Sequence, residues 1–163
     1  MSQTVRIVFT RSWLPGSWLI RAITWSRWSH CALIVGDEVI EAAMGAGVRR
    51  RPLAELIAAS SAHSIVDLPV QDAAAVVAAA ESQIGRRYDW AGALGLALRR
   101  GWQDRRAWFC SELVAWAADA AGSPWFRRNR IGRVTPEHLW MLVPYQPASA
   151  PFLMSGKGMR SSA

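Results

Sequence analysis

Gly36-Asp37 is the feature that most constrains how this 163-residue chain can fold. It separates two apolar runs, Ser29 to Val35 and Glu38 to Ala42, by two residues of turn chemistry, which is the pattern of a tight β-hairpin. A two-residue turn fixes the register. Val35 then faces Glu38, Ala32 faces Glu41 and His30 faces Ala43, so Glu41 lies diagonal to His30 on one face of the sheet, within reach of long side chains. One residue more or less in the turn would reverse that parity. Cys31 points to the face opposite His30 and reads as a small buried hydrophobe rather than a second reactive thiol.

Other elements follow from local pattern. Val5 to Phe9 has strand character, and the Trp-rich stretch from Ser12 to Trp28, with Pro15-Gly16 inside it, reads as a loop or short helix. Pro52 opens a short helix over Leu53 to Ala59, Ser64 to Leu68 is a strand, and Asp72 caps an Ala/Val-rich helix that ends at Gly85. A helix around Trp90 to Arg100 is weakened by Gly92 and Gly95. The clearest helical period runs from Phe109 to Ala121, where Cys110, Leu113, Val114, Ala117 and Ala121 share one face and Gly122 with Pro124 ends the run. Thr135-Pro136-Glu137 supplies the cap, first-turn proline and first-turn acid of a last short helix. The expected class is α+β, as one domain over residues 1–147 with a flexible tail over 148–163.

Composition narrows the function classes. With 52% hydrophobic and 19% charged residues the chain is not disordered, and at this length it buries roughly two thirds of its unfolded surface without needing disulfides or a structural metal. Two cysteines, Cys31 and Cys110, do not make a disulfide scaffold. Met1 to Thr10 lacks a signal-peptide pattern, and the most apolar windows are interrupted before the roughly 20 residues a bilayer span requires. The expected location is therefore cytoplasmic as synthesised. The net charge of +7 favours an anionic neighbourhood, but Arg49-Arg50-Arg51, Arg99-Arg100, Arg105-Arg106 and Arg127-Arg128 sit in no nucleic-acid module. They read as a solvated basic face, with an anionic membrane contact as the competing reading. Trp13, Trp18, Trp25 and Trp28 read as core plus a lid over a cleft, ahead of interfacial membrane contact. His63 and His138 lack ligand spacing and read as solvated or capping residues, so no metal and no cofactor is expected.

Three residues carry chemistry: His30 and Glu41 on the hairpin, and Cys110 in the first turn of the best helix. Unpaired N–H groups and the helix dipole favour a thiolate at that position. A nucleophile of lowered pKa, a base and an orienting carboxylate are the parts of a cysteine–histidine–acid triad, and the Cys110 N–H is a first donor for an oxyanion. On spacing alone, a structural cysteine and a structural strand histidine remain the commoner explanation.

The surrounding residues add to that pattern. Trp28-Ser29-His30-Cys31-Ala32-Leu33-Ile34, Val39-Ile40-Glu41-Ala42 with Gly47-Val48, Gly85-Arg86-Arg87-Tyr88-Asp89-Trp90, Phe109-Cys110-Ser111-Glu112-Leu113-Val114 and Val134-Thr135-Pro136-Glu137 follow one another in order. The ordered set resembles the NlpC/P60 superfamily of papain-like cysteine hydrolases, in its circularly permuted branch of YiiX-like and lecithin retinol acyltransferase-like proteins. The resemblance implies a permuted papain-like core, with an antiparallel sheet packed against the cysteine helix. It makes Cys110 the nucleophile, His30 the base and Glu41 the third member, and it sets Tyr88 at the oxyanion site through its hydroxyl. A half-buried aromatic is the plain alternative for Tyr88. The chain departs from the acyltransferase sub-branch, whose cysteine sits in an Asn-Cys-Glu-His setting, and this lowers the lipid acyltransferase option. The implied activity is amidase or endopeptidase action on cell-wall peptide, or cleavage of fatty-acyl amides and esters. Cell-wall work would need a route out such as phage lysis. The competing classes are an inactive binding module of the same fold and a membrane-surface binder.

Overall fold

The computed structural model of the chain describes residues 3–12, 17, 21–22, 25–88 and 107–143. In chain order the elements are β1 (Gln3–Arg11), β2 (His30–Val35), β3 (Glu38–Ala43), β4 (Gly47–Pro52), α1 (Leu53–Ala58), β5 (Ala62–Val70), α2 (Ala73–Glu81), β6 (Arg87–Tyr88), β7 (Ala107–Trp108), α3 (Cys110–Ala120), a 3-10 turn (Arg128–Arg133) and α4 (Pro136–Trp140). The class is α+β. The helix expected around Trp90 to Arg100, the tail over 148–163, and Trp13 and Trp18 lie outside the described residues.

Strands β1 to β5 form one antiparallel sheet in the order β4-β3-β2-β1-β5. The two-residue turn holds the register that the sequence implies, with Val35 opposite Glu38, Ile34 opposite Val39 and Leu33 opposite Ile40. Alternation then sorts the side chains onto two faces. Val5, Ile7, Phe9, Cys31, Leu33, Ile40 and Ala42 join Leu113, Val114 and Ala117 of α3 in the larger core, which also takes Val76 and Ala80 of α2. Val8, Ala32, Ile34 and Val39 form a smaller core with Leu56 of α1 on the other face. Each fully buried Ile, Leu or Phe here stabilises the fold by about 1.5–3 kcal/mol. The central strands are buried on both sides for this reason.

Strand β4 is legible only in the fold, because Arg49-Arg50-Arg51 hides any apolar alternation. The three arginines are stable on a sheet because each has a carboxylate partner: Arg49 bonds Glu41, Arg50 bonds Glu38 and Glu81, and Arg51 lies 3.7 Å from Glu55. The face they form stays partly exposed, at 24–43% of each side chain, with its charge partly neutralised by these carboxylates. The Ala/Val-rich helix α2 begins at its Asp72 cap, which accepts from the Ala75 N–H at 2.9 Å, but it stops at Glu81 and reaches Gly85 through a turn. Among the described residues no helix is long and apolar enough to cross a membrane.

Gly47 opens β4 with φ +74°, and a Cβ there would overlap the Arg86 carbonyl oxygen. The close approach lets the Val48 N–H donate to that oxygen at 2.8 Å and the Gly85 N–H donate to the Val48 carbonyl at 2.9 Å, which lays residues 85–88 along the sheet edge. Gly47→Ala is expected to cost about 3 kcal/mol, combining the left-handed backbone penalty with overpacking. Gly45→Ala, also at positive φ but with open space around its Cβ, is expected to cost only about 1 kcal/mol. Urea denaturation of the two variants checks this, and equal losses would remove the role of the Arg86 contact.

Candidate active site

Glu41 is the anchor of the site. Its side chain is only 1% exposed, yet it sits on a strand between two cationic partners. Oε2 meets His30 Nε2 at 2.7 Å, and Oε1 accepts from Arg49 Nε at 3.0 Å. The diagonal contact between Glu41 and His30 follows from the hairpin parity, and the Arg49 contact follows from direct pairing of Glu41 with Arg49 across β3 and β4. Burial by itself would raise the Glu41 carboxyl, but His30 and then Arg49 outweigh it and hold the group below its ordinary 4.5.

Cys110 is the first residue of α3, preceded by the extended Phe109 cap. The Glu112 carboxylate turns back to accept from the Phe109 N–H at 3.4 Å, while the first N–H groups of the helix have no partners within it. Ser111 Oγ donates to the Val134 carbonyl at 2.6 Å and fixes the start of the helix against the segment that leads into α4. The helix begins at the end of the sheet where β2 begins. The Cys110 sulfur therefore comes within interaction range of both His30 and Cys31, although these neighbours leave β2 on opposite faces.

The charges of these groups depend on one another. Burial disfavours the imidazolium of His30, but the Cys110 sulfur and Glu41 outweigh it and raise the group from 6.5 to about 10. Burial also disfavours a Cys110 thiolate, but Cys31 and His30 lower the thiol well below its ordinary 9.0. Cys31 is pushed the other way, first by burial and then by the neighbouring Cys110 sulfur. These directions all favour the charged forms of Cys110 and His30 over the neutral ones, with Nε2 of the ring turned to Glu41.

A cavity of about 370 Å³ opens beside this cluster, lined by His30, Glu41, Arg49, Leu56 and Tyr88 among others. Tyr88 is buried, and its ring lies 6.0 Å from that of Phe109, the residue before Cys110. His30, Glu41 and Tyr88 share the lining of this cavity, while Cys110 is not among its lining residues and joins the group through His30. Cys31 is the neighbour that sequence reasoning set aside. Its parity was read correctly, but the face it points to is the one on which Cys110 sits.

The motif Thr135-Pro136-Glu137 has a structural role at this site. Thr135 Oγ1 caps α4 by accepting from the His138 N–H at 3.3 Å, while His138 Nδ1 accepts from the Thr135 N–H at 3.0 Å, so His138 is a capping residue. Glu137 Oε2 accepts from the Arg27 N–H at 2.9 Å and from Ser26 Oγ at 3.2 Å. Trp28 packs between Phe9 and Trp140, which ties the entry of β2 to α4. Of the tryptophans expected as core or lid, Trp28 is core, whereas Trp25 is 91% exposed.

No protein-family model matches the chain, and no curated protein does. Among solved structures it is similar to the crystal structure of the metalloprotein YiiX from Escherichia coli O157:H7, at 26% identity with a TM-score of 0.57. The fold is YiiX-like. The match covers 73% of this chain and 66% of that one, so the likeness spans slightly less than two thirds of YiiX.

Because the Glu41 carboxyl lies below 4.5 in the folded state, the unfolded chain takes up a proton there first as pH falls. The stability it contributes is full above pH 4.5 and is lost as pH drops through the lower folded value. Glu41→Gln is expected to cost about 1–2 kcal/mol at neutral pH, by removing the buried counter-charge of a half-buried His30 and a partly exposed Arg49, and to flatten the acid limb of the stability profile. Urea denaturation across the acid range checks both. An unchanged acid limb would count against the buried carboxylate.

Proposed function

We propose that this protein is a cysteine hydrolase of permuted papain-like, NlpC/P60-type architecture that cleaves an amide or ester carbonyl through an acyl-enzyme on Cys110. The observation that carries this reading is the His30 ring standing between the buried Glu41 carboxylate and the Cys110 sulfur, with the thiol lowered below its ordinary value. A lone buried cysteine gives no reason for such a lowering; an activated nucleophile does.

The Cys110 thiolate attacks the carbonyl carbon, and the oxyanion forms at the N-terminus of α3, where the Cys110 N–H is a donor and the Tyr88 hydroxyl borders the site. The His30 imidazolium then protonates the leaving amine or alkoxide as its bond to carbon breaks. Water deprotonated by neutral His30 attacks the thioester, releases the carboxylic acid product and restores the thiolate. Glu41 keeps the ring oriented and stabilises its positive charge without taking the proton, and Arg49 keeps Glu41 ionised. The substrates that the resemblance favours are cell-wall peptides and fatty-acyl amides or esters.

YiiX is described as a metalloprotein, and the described residues of this chain do not form a metal site. Among the described residues no group of three or more His, Cys, Asp and Glu side chains is arranged to hold one. Both oxygens of Glu41 are already engaged, by His30 and Arg49. No step of the reaction above uses a metal.

Iodoacetamide at pH 6.5 tests the nucleophile without knowledge of the substrate. Cys110 is expected to alkylate much faster than a simple thiol, and His30→Ala is expected to slow it by at least about tenfold, the equivalent of one pKa unit. On p-nitrophenyl acyl esters and peptide anilides, Cys110→Ala is expected to abolish turnover while the variant stays folded. A wild-type Cys110 no faster than a model thiol would end the hydrolase reading in favour of a binding module of the same fold.

A further inference from the structure

We propose that Cys31 and Cys110 are a redox pair, in which a hydroperoxide oxidises Cys110 and Cys31 closes a reversible disulfide onto it. The inference rests on Cys110 being the reactive thiolate of the proposed hydrolase, and it assigns a role to the buried thiol that the hydrolytic steps leave unused.

The geometry comes from two elements. Cys31 is the second residue of β2 and its side chain points into the larger core; Cys110 opens α3, which packs on that same core. Both cysteines are free and nearly inaccessible, at 0% and 2% exposure. The Cys31 thiol and the Cys31 backbone N–H both act on the Cys110 sulfur. These are the chain's only two cysteines, so two thiols 79 positions apart in sequence (110 minus 31) meet at one point in the core. A disulfide requires its two Cβ atoms to approach within about 4.5 Å, and a strand residue that faces the first residue of a packed helix is a position from which that approach is made.

The chemistry balances in two steps. The Cys110 thiolate attacks the distal oxygen of the hydroperoxide, the O–O bond breaks, and the departing alkoxide or hydroxide takes the His30 proton, which leaves a sulfenic acid on Cys110. Cys110 sulfur is oxidised by two electrons and the peroxide is reduced by two. The Cys31 sulfur then attacks the Cys110 sulfur, the S–O bond breaks, and hydroxide leaves as water with the proton that Cys31 gives up. The order is enforced by charge. While Cys110 is a thiolate, burial and that neighbouring negative sulfur keep Cys31 protonated and unreactive. Once Cys110 carries a neutral sulfenic acid the negative neighbour is gone, and Cys31 ionises more readily. Cys31 lies beside the Cys110 sulfur, so it is the sulfur in position to resolve the intermediate.

The test treats the reduced full-length protein with hydrogen peroxide and maps its peptides by mass spectrometry without reduction. The expected result is a Cys31–Cys110 cross-linked peptide two hydrogens lighter than the separate pair, loss of both free thiols, and full recovery with dithiothreitol. In Cys31→Ala and, as a second packing variant, Cys31→Val, Cys110 is expected to accumulate dimedone-reactive sulfenic acid and then irreversible sulfinic acid. Wild-type protein that ends as Cys110 sulfinate at the same rate as either variant, with no cross-link, overturns the inference. Iodoacetamide alkylation of the reduced protein separates the two readings. Fast alkylation without a disulfide defeats the redox pair alone, whereas slow alkylation of Cys110 defeats the hydrolase reading and the redox pair with it.

Discussion

A carboxylate with almost no exposed surface holds its charge only when cationic groups replace the water it has lost, and Glu41 has two, one from each neighbouring strand. The His30 contact requires the β2–β3 register and the Arg49 contact requires the β3–β4 register. A slip at either turn would leave a charge buried without a partner, at a cost of several kcal/mol. One ion cluster therefore disfavours misregistered hairpins and also orients the imidazole. The sheet positions the site, and the site in turn specifies the sheet.

The second constraint is how the helix that carries Cys110 meets that sheet. Its apolar face, Leu113, Val114 and Ala117, sets its depth in the core, while the Ser111 bond to the Val134 carbonyl and the Glu137 bonds to residues 26 and 27 fix its start relative to the entry of β2. Hydrophobic burial alone tolerates small slides. Directional bonds at the helix start do not, and they lie where a displacement of the sulfur from the imidazole would matter most. The cavity beside His30 and Tyr88 is lined instead from the sheet and α1, so the groups that fix the helix start are separate from those that border the space where a substrate could sit.

Local pattern made much of this legible. The Gly36-Asp37 turn gave the register, Asp72 and Thr135 gave helix starts, and the spacing of Leu113, Val114 and Ala117 gave α3. Strand β4 was hidden because its arginines are stable there only through Glu38, Glu41, Glu55 and Glu81, which are distant in sequence or on other elements. Cys31 is buried with its thiol raised, as a small core residue, but its nearness to Cys110 was not legible, since alternation tells which face a side chain takes and not what packs on that face.

The sequence by itself determined the α+β class, the hairpin parity that puts Glu41 beside His30, and the placement of Cys110 at a helix start, because each depends on neighbours a few residues apart. Tertiary structure alone decided that the helix start meets the end of β2. That contact brings one sulfur against both an imidazole and a second thiol, turns Cys110 toward the thiolate and raises His30 to about 10. Such shifts arise from burial and from charges brought together across the fold, and neither exists until the chain has closed around them.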